Sequence, residues 1–190
     1  MADTATTRRT ERLELRPVDE ADIDRILEYR NRPEVMQWLL RTEVDPAAFR
    51  AAWLAAAADP HDHSVAVVLD GTVIGTVSLT VVDGMGQPGM PGRTEADLGY
   101  IFDPAYGGRG YATEAVTAVV AAAFEELGVR RITAGCFAEN HASVRILEGL
   151  GMRREQHGVR DSWHAELGWV DGYTYALLVE DWRGRRATIS

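Results

Sequence analysis

The sequence predicts an α/β protein, more narrowly an α+β arrangement with one mixed, twisted sheet of about six or seven strands and helices on both faces. Three observations lead there. β-branched runs that read as strands are interleaved with segments whose apolar residues recur at helical spacing. Asp70-Gly71, a two-residue hairpin signal, joins two such runs in the first half. In the second half, the strand-like Asp97 to Phe102 passes through a glycine cluster into a strongly apolar helical run. The order of elements is strand, helices, three strands, helix, strand, helix, two strands. No internal repeat interrupts it.

The elements follow in turn. Thr10 to Arg16 alternates, with Leu13 and Leu15 on one side, and reads as a strand closed by Pro17. Asp19 or Asp22 starts a helix through Ile23, Ile26 and Leu27, which Asn31-Arg32-Pro33 breaks. A short helix through Val35, Met36 and Leu39 follows, and Asp45-Pro46 caps another through Phe49, Trp53 and Leu54. Ser64 to Leu69 and Thr72 to Val82 form the hairpin. Asp83 to Arg93, rich in Gly, Pro and Met, is a loop longer than a hairpin requires. Glu95 to Phe102 is a strand, and the helix from Ala112 to Leu127 buries Ala115, Val116, Val119, Ala123, Phe124 and Leu127. Arg130 to Phe137 is a strand, Asn140 to Leu150 a helix, and Val159 to Leu167 and Tyr173 to Val179 a final pair turned at Asp171-Gly172.

The chain of 190 residues is long enough for one domain with a real core. We place that domain at residues 10–183, between a flexible tail at 1–9 and a second tail at 184–190. A formal net charge of -9 argues against general nucleic-acid binding and suits a cationic partner such as an amine. Lysine is absent, so no side-chain Schiff base is available. The single cysteine, Cys136, excludes an internal disulfide framework and a multi-cysteine metal site, and we expect no metal. No apolar run suggests a signal peptide or a membrane span, so the expectation is a cytoplasmic, reducing setting.

Tyr106-Gly107-Gly108-Arg109-Gly110-Tyr111-Ala112-Thr113-Glu114-Ala115 is the most informative stretch. Glycines at a strand-to-helix junction let the backbone curl and leave no Cβ in a ligand's way. The helix that follows offers unpaired N–H groups and the positive end of its dipole, a cradle for phosphate or diphosphate. A P-loop would end in Gly-Lys-Ser/Thr, which a chain without lysine cannot supply. A dinucleotide fingerprint wants another glycine spacing, early in a repeated βαβ unit.

The bend resembles the acetyl-CoA loop of the GCN5-related N-acetyltransferases, Gln/Arg-x-x-Gly-x-Gly/Ala opening a long helix. Its last two required positions fall on Gly110 and Ala112, and its first on Gly107, where the usual Gln or Arg is missing. Thr10-Glu11-Arg12-Leu13-Glu14-Leu15-Arg16-Pro17, Asp97-Leu98-Gly99-Tyr100-Ile101, the Asn140 to Met152 segment and the Tyr173-to-Trp182 end resemble the RimJ/RimL-like branch, which modifies ribosomal-protein N-termini. The resemblance spans about Thr10 to Trp182.

It implies the GNAT fold, with the pantetheine arm of acetyl-CoA between two splayed parallel strands, Asp97–Phe102 and Arg131–Phe137. Backbone groups of Tyr100, Ile101 and Phe102 would bond that arm, and amides of Gly108, Arg109, Gly110, Tyr111, Ala112 and Thr113 the diphosphate, with Gly107 opening the bend. Asp97 is the expected base, directly or through a water, with Glu95 on the same strand face as the alternative. Asn140 reads as a helix cap and, by the resemblance, as a neighbour of the pantetheine arm. Ser143 is either a plain first-turn serine or, as in RimL-like relatives, a donor to the leaving sulfur. Cys136 reads as a small buried hydrophobe rather than a nucleophile.

For the acceptor, the resemblance points to Met36, Trp38, the Gly84–Arg93 loop, Glu95, Trp163, His164, Glu166 and Trp169; the Trp and Met residues read equally as core, and His164 as a satisfied surface or strand histidine. The expected activity is direct acetyl transfer to a primary amine, on a protein N-terminus or a small molecule. The alternative is a CoA-binding sensor or interaction module without turnover. An oligomer is compatible with either.

Overall fold

The computed structural model describes residues 7–189. Eight strands run in the order β1-β2-β3-β4-β5-β6-β8-β7, mostly antiparallel, with β5 and β6 parallel. They are β1 (Arg8–Arg9), β2 (Glu14–Pro17), β3 (Val65–Leu69), β4 (Thr72–Val82), β5 (Glu95–Phe102), β6 (Arg131–Phe137), β7 (Arg153–His164) and β8 (Gly168–Leu178). The helices are α1 (Ile23–Arg30), α2 (Pro33–Met36), α3 (Pro46–Ala58), α4 (Tyr111–Glu125), α5 (His141–Gly149) and α6 (Val179–Ile189). Among the described residues, no helix is long and apolar enough to cross a membrane. The chain divides into two compact units, residues 1–80 with 99–119 and residues 81–98 with 120–190.

In the first unit, β2 pairs with β3 and β3 with β4, all antiparallel. Asp70 and Gly71 both take positive φ (48° and 78°), the turn that matches strand twist in a two-residue hairpin. Ile26 and Tyr29 of α1 pack with Ala66, Val68 and Val73 of the hairpin, and Phe49, Trp53 and Ile101 close over that cluster. The α1 entry is preceded by a 3-10 turn, Glu20–Asp22, held by a capping box between Asp19 and Asp22. Asp45 caps α3 through the Ala48 N–H (2.8 Å).

One expected element is corrected here. The first strand does not start at Thr10: Thr10 N–H donates to the Leu13 carbonyl (2.9 Å) and Leu13 N–H to the Thr10 hydroxyl (3.0 Å), closing a tight turn. Arg8–Arg9, expected in a tail, thereby fold back onto Glu14 and Leu15 as an extra strand. That raises the strand count to eight. Residues 1–6 of that tail lie outside the described residues.

In the second unit, the parallel ladder pairs Glu95, Ala96 and Asp97 with Arg131, Ile132 and Thr133. β6 pairs along its whole length with β8. α5 packs on β6 and α6 on β8, and Phe124 meets Trp182 with ring centroids 5.3 Å apart. The last hairpin is longer than expected, and its turn is not at Asp171-Gly172. Those residues lie inside β8 opposite an irregularity between Gly158 and Ser162 of β7. Asp171 satisfies that bulge instead, accepting from the Arg160 N–H (2.9 Å) and meeting His157 Nε2 at 2.5 Å. An Asp-Gly pair serves a bulge as readily as a turn, because both need a short side chain that bonds backbone. Residues 184–189, expected in a tail, continue α6.

Candidate active site

The glycine bend lies in the first unit and begins with Asp103. Asp103 caps a 3-10 turn, Pro104–Tyr106, through the Ala105 N–H (3.0 Å). Its carboxylate is 1% exposed and paired with both Arg25 and Arg32, the latter at 2.5 Å. Nothing in local sequence pattern links Asp103 to arginines more than 70 positions away, so this anchor is invisible before the fold is known. After the turn, Gly107 is extended, while Gly108 (φ 72°) and Gly110 (φ 80°) sit in the left-handed region that glycine tolerates. A Cβ on Gly107 would stand 3.1 Å from the Pro104 carbonyl oxygen, a tight contact that a shift of a few tenths of an ångström would relieve.

α4 starts immediately afterwards. Its Glu114 N–H donates to the Gly110 carbonyl (3.0 Å), so the N–H groups of Tyr111, Ala112 and Thr113 precede the first helical bond and have no acceptor within the helix. Gly107, Gly108, Arg109, Gly110 and Thr113 are exposed, and Tyr111 and Ala112 half-buried. Arg12, from the Thr10–Leu13 turn, lies against the bend. It bonds the Arg109 carbonyl (2.9 Å) and pairs with Glu114 (2.6 Å), whose carboxyl is held below the usual range: burial raises it, but Thr10 and Arg12 outweigh that. Tyr100, Ile101 and Phe102 are all half-buried on β5. The Phe102 ring lies over Gly75, where a Cβ would come within 2.3 Å of it. Trp38 and Met36, at the end of α2, are half-buried.

The second unit holds the other candidates. Asp97 is exposed at the last rung of the parallel ladder, between buried Ala96 and Leu98. Its Oδ1 accepts from the Thr133 hydroxyl (2.6 Å), a partner that the sequence reading missed because the two residues meet only across β5 and β6. Glu95, the alternative base, is instead committed to Arg130 and Arg131. Arg131 continues the network to Glu155 (2.5 Å), and Arg153 adds a second cation there. Arg131 and then Arg153 pull the Glu155 carboxyl down to about 2.

Asn140 caps α5, its side-chain oxygen accepting from the Ser143 N–H (3.2 Å). Ser143 is half-buried in the first turn. Cys136 is half-buried, and burial, reinforced by Glu148, pushes its thiol up to about 11. The Tyr175 hydroxyl donates to Glu148 (3.0 Å); burial and then Glu148 raise it to about 12.

The tip of the β7–β8 hairpin carries Trp163 and Trp169, about 60% exposed and packed edge to face at 5.4 Å. Their neighbour His164 is buried, with Nδ1 accepting from the N–H groups of Glu166 (3.2 Å) and Leu167 (3.3 Å). That places the ring's proton on Nε2 and builds His164 into the turn. Glu166 is exposed. In the loop between β4 and β5, Met85 is fully exposed.

A GNAT acetyltransferase domain model matches residues 12–153. The chain belongs to the GNAT acetyltransferase family. The match opens at Arg12 and covers the bend, the Asp97–Thr133 rung and α5. Among curated relatives, YnaD of Bacillus subtilis, an uncharacterised N-acetyltransferase, is 37% identical over 91 residues, 48% of this chain and 53% of its own, so that match spans about half of YnaD. The uncharacterised N-acetyltransferase p20 of Bacillus licheniformis is 29% identical over 92% of this chain and 97% of its own. The GNAT-family acetyltransferase structure from Bacillus anthracis has a TM-score of 0.76 at 28% identity, covering 92% of this chain and 99% of that one. The ribosomal-protein-S5-alanine acetyltransferase of Vibrio fischeri shares the fold, with a TM-score of 0.77 at 22% identity over 93% and 98% of the chains. This chain is therefore an acetyltransferase with the GNAT fold.

Proposed function

We propose that the chain transfers an acetyl group from acetyl-CoA directly to a primary amine, on a protein N-terminus or a small molecule. The observation that carries this is the bend at Gly107–Gly110, whose left-handed glycines open α4 with three successive N–H groups ahead of its first internal bond. In this reading the amides from Gly108 to Thr113 hold the diphosphate, and backbone groups of Tyr100, Ile101 and Phe102 bond the pantetheine arm. Asn140 borders that arm while it caps α5. A Mycobacterium smegmatis RimJ structure of the same fold contains a CoA disulfide, which supports an acyl-CoA ligand.

The amine nitrogen attacks the thioester carbon, the C–S bond breaks, and the amine's proton passes to Asp97 directly or through a water. Ser143 donates a hydrogen bond to the departing thiolate, which takes up a proton from solvent while Asp97 returns the one it gained, so that CoA leaves as the thiol. Asp97 suits the base role because it is exposed and oriented by Thr133, whereas Glu95 is tied to two guanidiniums. Trp163 and Trp169, exposed at the β7–β8 tip, are aromatic surface suited to an acceptor, and the net charge of -9 favours a cationic one.

A thiol-release screen of acetyl-CoA against peptides beginning Ala or Ser, polyamines and aminoglycosides tests the reading. Release with one amine class, lost in Asp97→Ala, is the expected result. Stoichiometric CoA binding with no release from any amine would replace the enzyme with a CoA-binding module, the cofactor then serving as a signal.

A further inference from the structure

We propose that Arg12 is a positioning residue of the diphosphate cradle, acting on the bend from its outer side. The inference rests on the reading of the bend as a CoA site.

The Arg12 guanidinium spends all three of its nitrogens here. Nη1 donates to the Arg109 carbonyl (2.9 Å), Nε to Glu114 Oε2 (2.7 Å), and Nη2 pairs with the same oxygen (2.6 Å). Its plane lies over the Tyr111 ring, with Cζ 4.5 Å from the centroid. The Arg12 N–H and the Thr10 hydroxyl occupy Glu114 Oε1 at 2.9 and 2.5 Å, so the carboxylate is fully engaged. One turn of the N-terminal segment thus grips both sides of the bend, the peptide before Gly110 and the first turn of α4.

Two consequences follow from elementary geometry and charge. A peptide unit is planar and trans, so its C=O and N–H point in opposite directions. Holding the Arg109 carbonyl toward Arg12 therefore turns the Gly110 N–H away from Arg12. Gly110, which closes that peptide and tolerates either sign of φ, would otherwise let it flip at little cost. Second, Glu114 sits in the first turn of α4, where an unpaired carboxylate would repel an incoming diphosphate. Arg12 cancels that charge. Gly107 offers no side chain to steady the bend, and Arg12 steadies it instead from the Thr10–Leu13 turn.

The test compares CoA with pantetheine, which has no diphosphate, by calorimetry for the first and by nuclear magnetic resonance titration for the second. Arg12→Ala is expected to weaken CoA about tenfold, the loss of one charge-assisted contact's worth of order, while leaving pantetheine unchanged. Arg12→Lys, whose point charge cannot fork between carbonyl and carboxylate, should lose severalfold for CoA alone and covers the case in which the alanine variant does not fold. Adding Glu114→Gln to Arg12→Ala should recover part of the loss by removing the uncovered charge. Equal weakening of both ligands would reveal a purely structural arginine and overturn the proposal, as would unchanged CoA binding in both Arg12 variants. Wild-type protein that binds CoA no better than pantetheine would remove the reading of the bend itself, and the role of Arg12 with it.

Discussion

Replacing Asp103 by alanine should destabilise the protein by about 3–4 kcal/mol, although Asp103 touches no proposed substrate atom. The magnitude follows from its surroundings. The carboxylate is 1% exposed, while its partners Arg25 and Arg32 keep 24% and 35% of their side chains in water. Stranding a buried charge costs roughly 3–5 kcal/mol. Here the charges left behind are partly hydrated arginines that still share Glu28, so the lower end, about 3 kcal/mol, applies. Losing the cap on the Pro104–Tyr106 turn adds about 1 kcal/mol. Asp103→Asn keeps an oxygen for the Ala105 N–H and should lose about 3 kcal/mol, the ionic part alone. Urea unfolding at pH 7, followed by fluorescence and circular dichroism, measures both variants. An alanine variant within about 1 kcal/mol of wild type would refute the reasoning, because desolvated pairing would then contribute nothing here. An asparagine variant as weak as the alanine one would assign the whole effect to charge and none to the cap.

Four further outcomes are expected. Thr133→Val should lower kcat about fivefold with the KM for acetyl-CoA unchanged, and Thr133→Ser should restore it, since in the proposed mechanism this hydrogen bond orients Asp97 as the base; equal loss in both variants would point to packing instead. The Glu155 carboxyl is depressed in the folded chain, so its contribution to stability is fully present above its ordinary value of 4.5 and drains away as pH falls toward about 2. Glu155→Gln should flatten that part of the stability-against-pH curve, and an unchanged slope would contradict the pairing with Arg131 and Arg153. With its thiol raised from 9.0 to about 11, Cys136 should react with iodoacetamide at pH 8 roughly tenfold more slowly than a free thiol, since fewer thiolates are partly offset by their greater nucleophilicity, and Cys136→Ala should keep its turnover. Gly75→Ala should push the Phe102 ring aside at a cost of about 1–3 kcal/mol, visible as a shifted Phe102 resonance and a raised KM for acetyl-CoA.

Much of this architecture is legible in the residues themselves. Asp70-Gly71, Asp45-Pro46 and Asn140 are local devices whose chemistry acts within four residues, and each forms the turn or cap that its sequence suggests. The glycine bend is legible for the same reason. What escaped is non-local. The turn at Thr10–Leu13 reads as strand from its alternation; it closes on its own hydrogen bonds and is anchored by contacts to Glu114 that only the fold supplies. Asp171-Gly172 carries a turn's composition, but the register with β7 assigns it to a bulge. Asp103 and Thr133 acquire their roles from partners on other elements. Side chains that act at short range are readable from order alone, while those that act across strands are not.

The hold of Arg12 and Thr10 on Glu114 spans more than 100 positions of chain. Closing so long a loop is slow compared with forming a hairpin or a helix turn. On the ribosome, the opening segment therefore cannot dock until the chain has been made through Glu114, more than a hundred residues later. Cofactor competence should accordingly emerge late in refolding, after secondary structure has recovered, and deletions reaching Arg12 should leave a helical protein with an unsteady grip on its ligand.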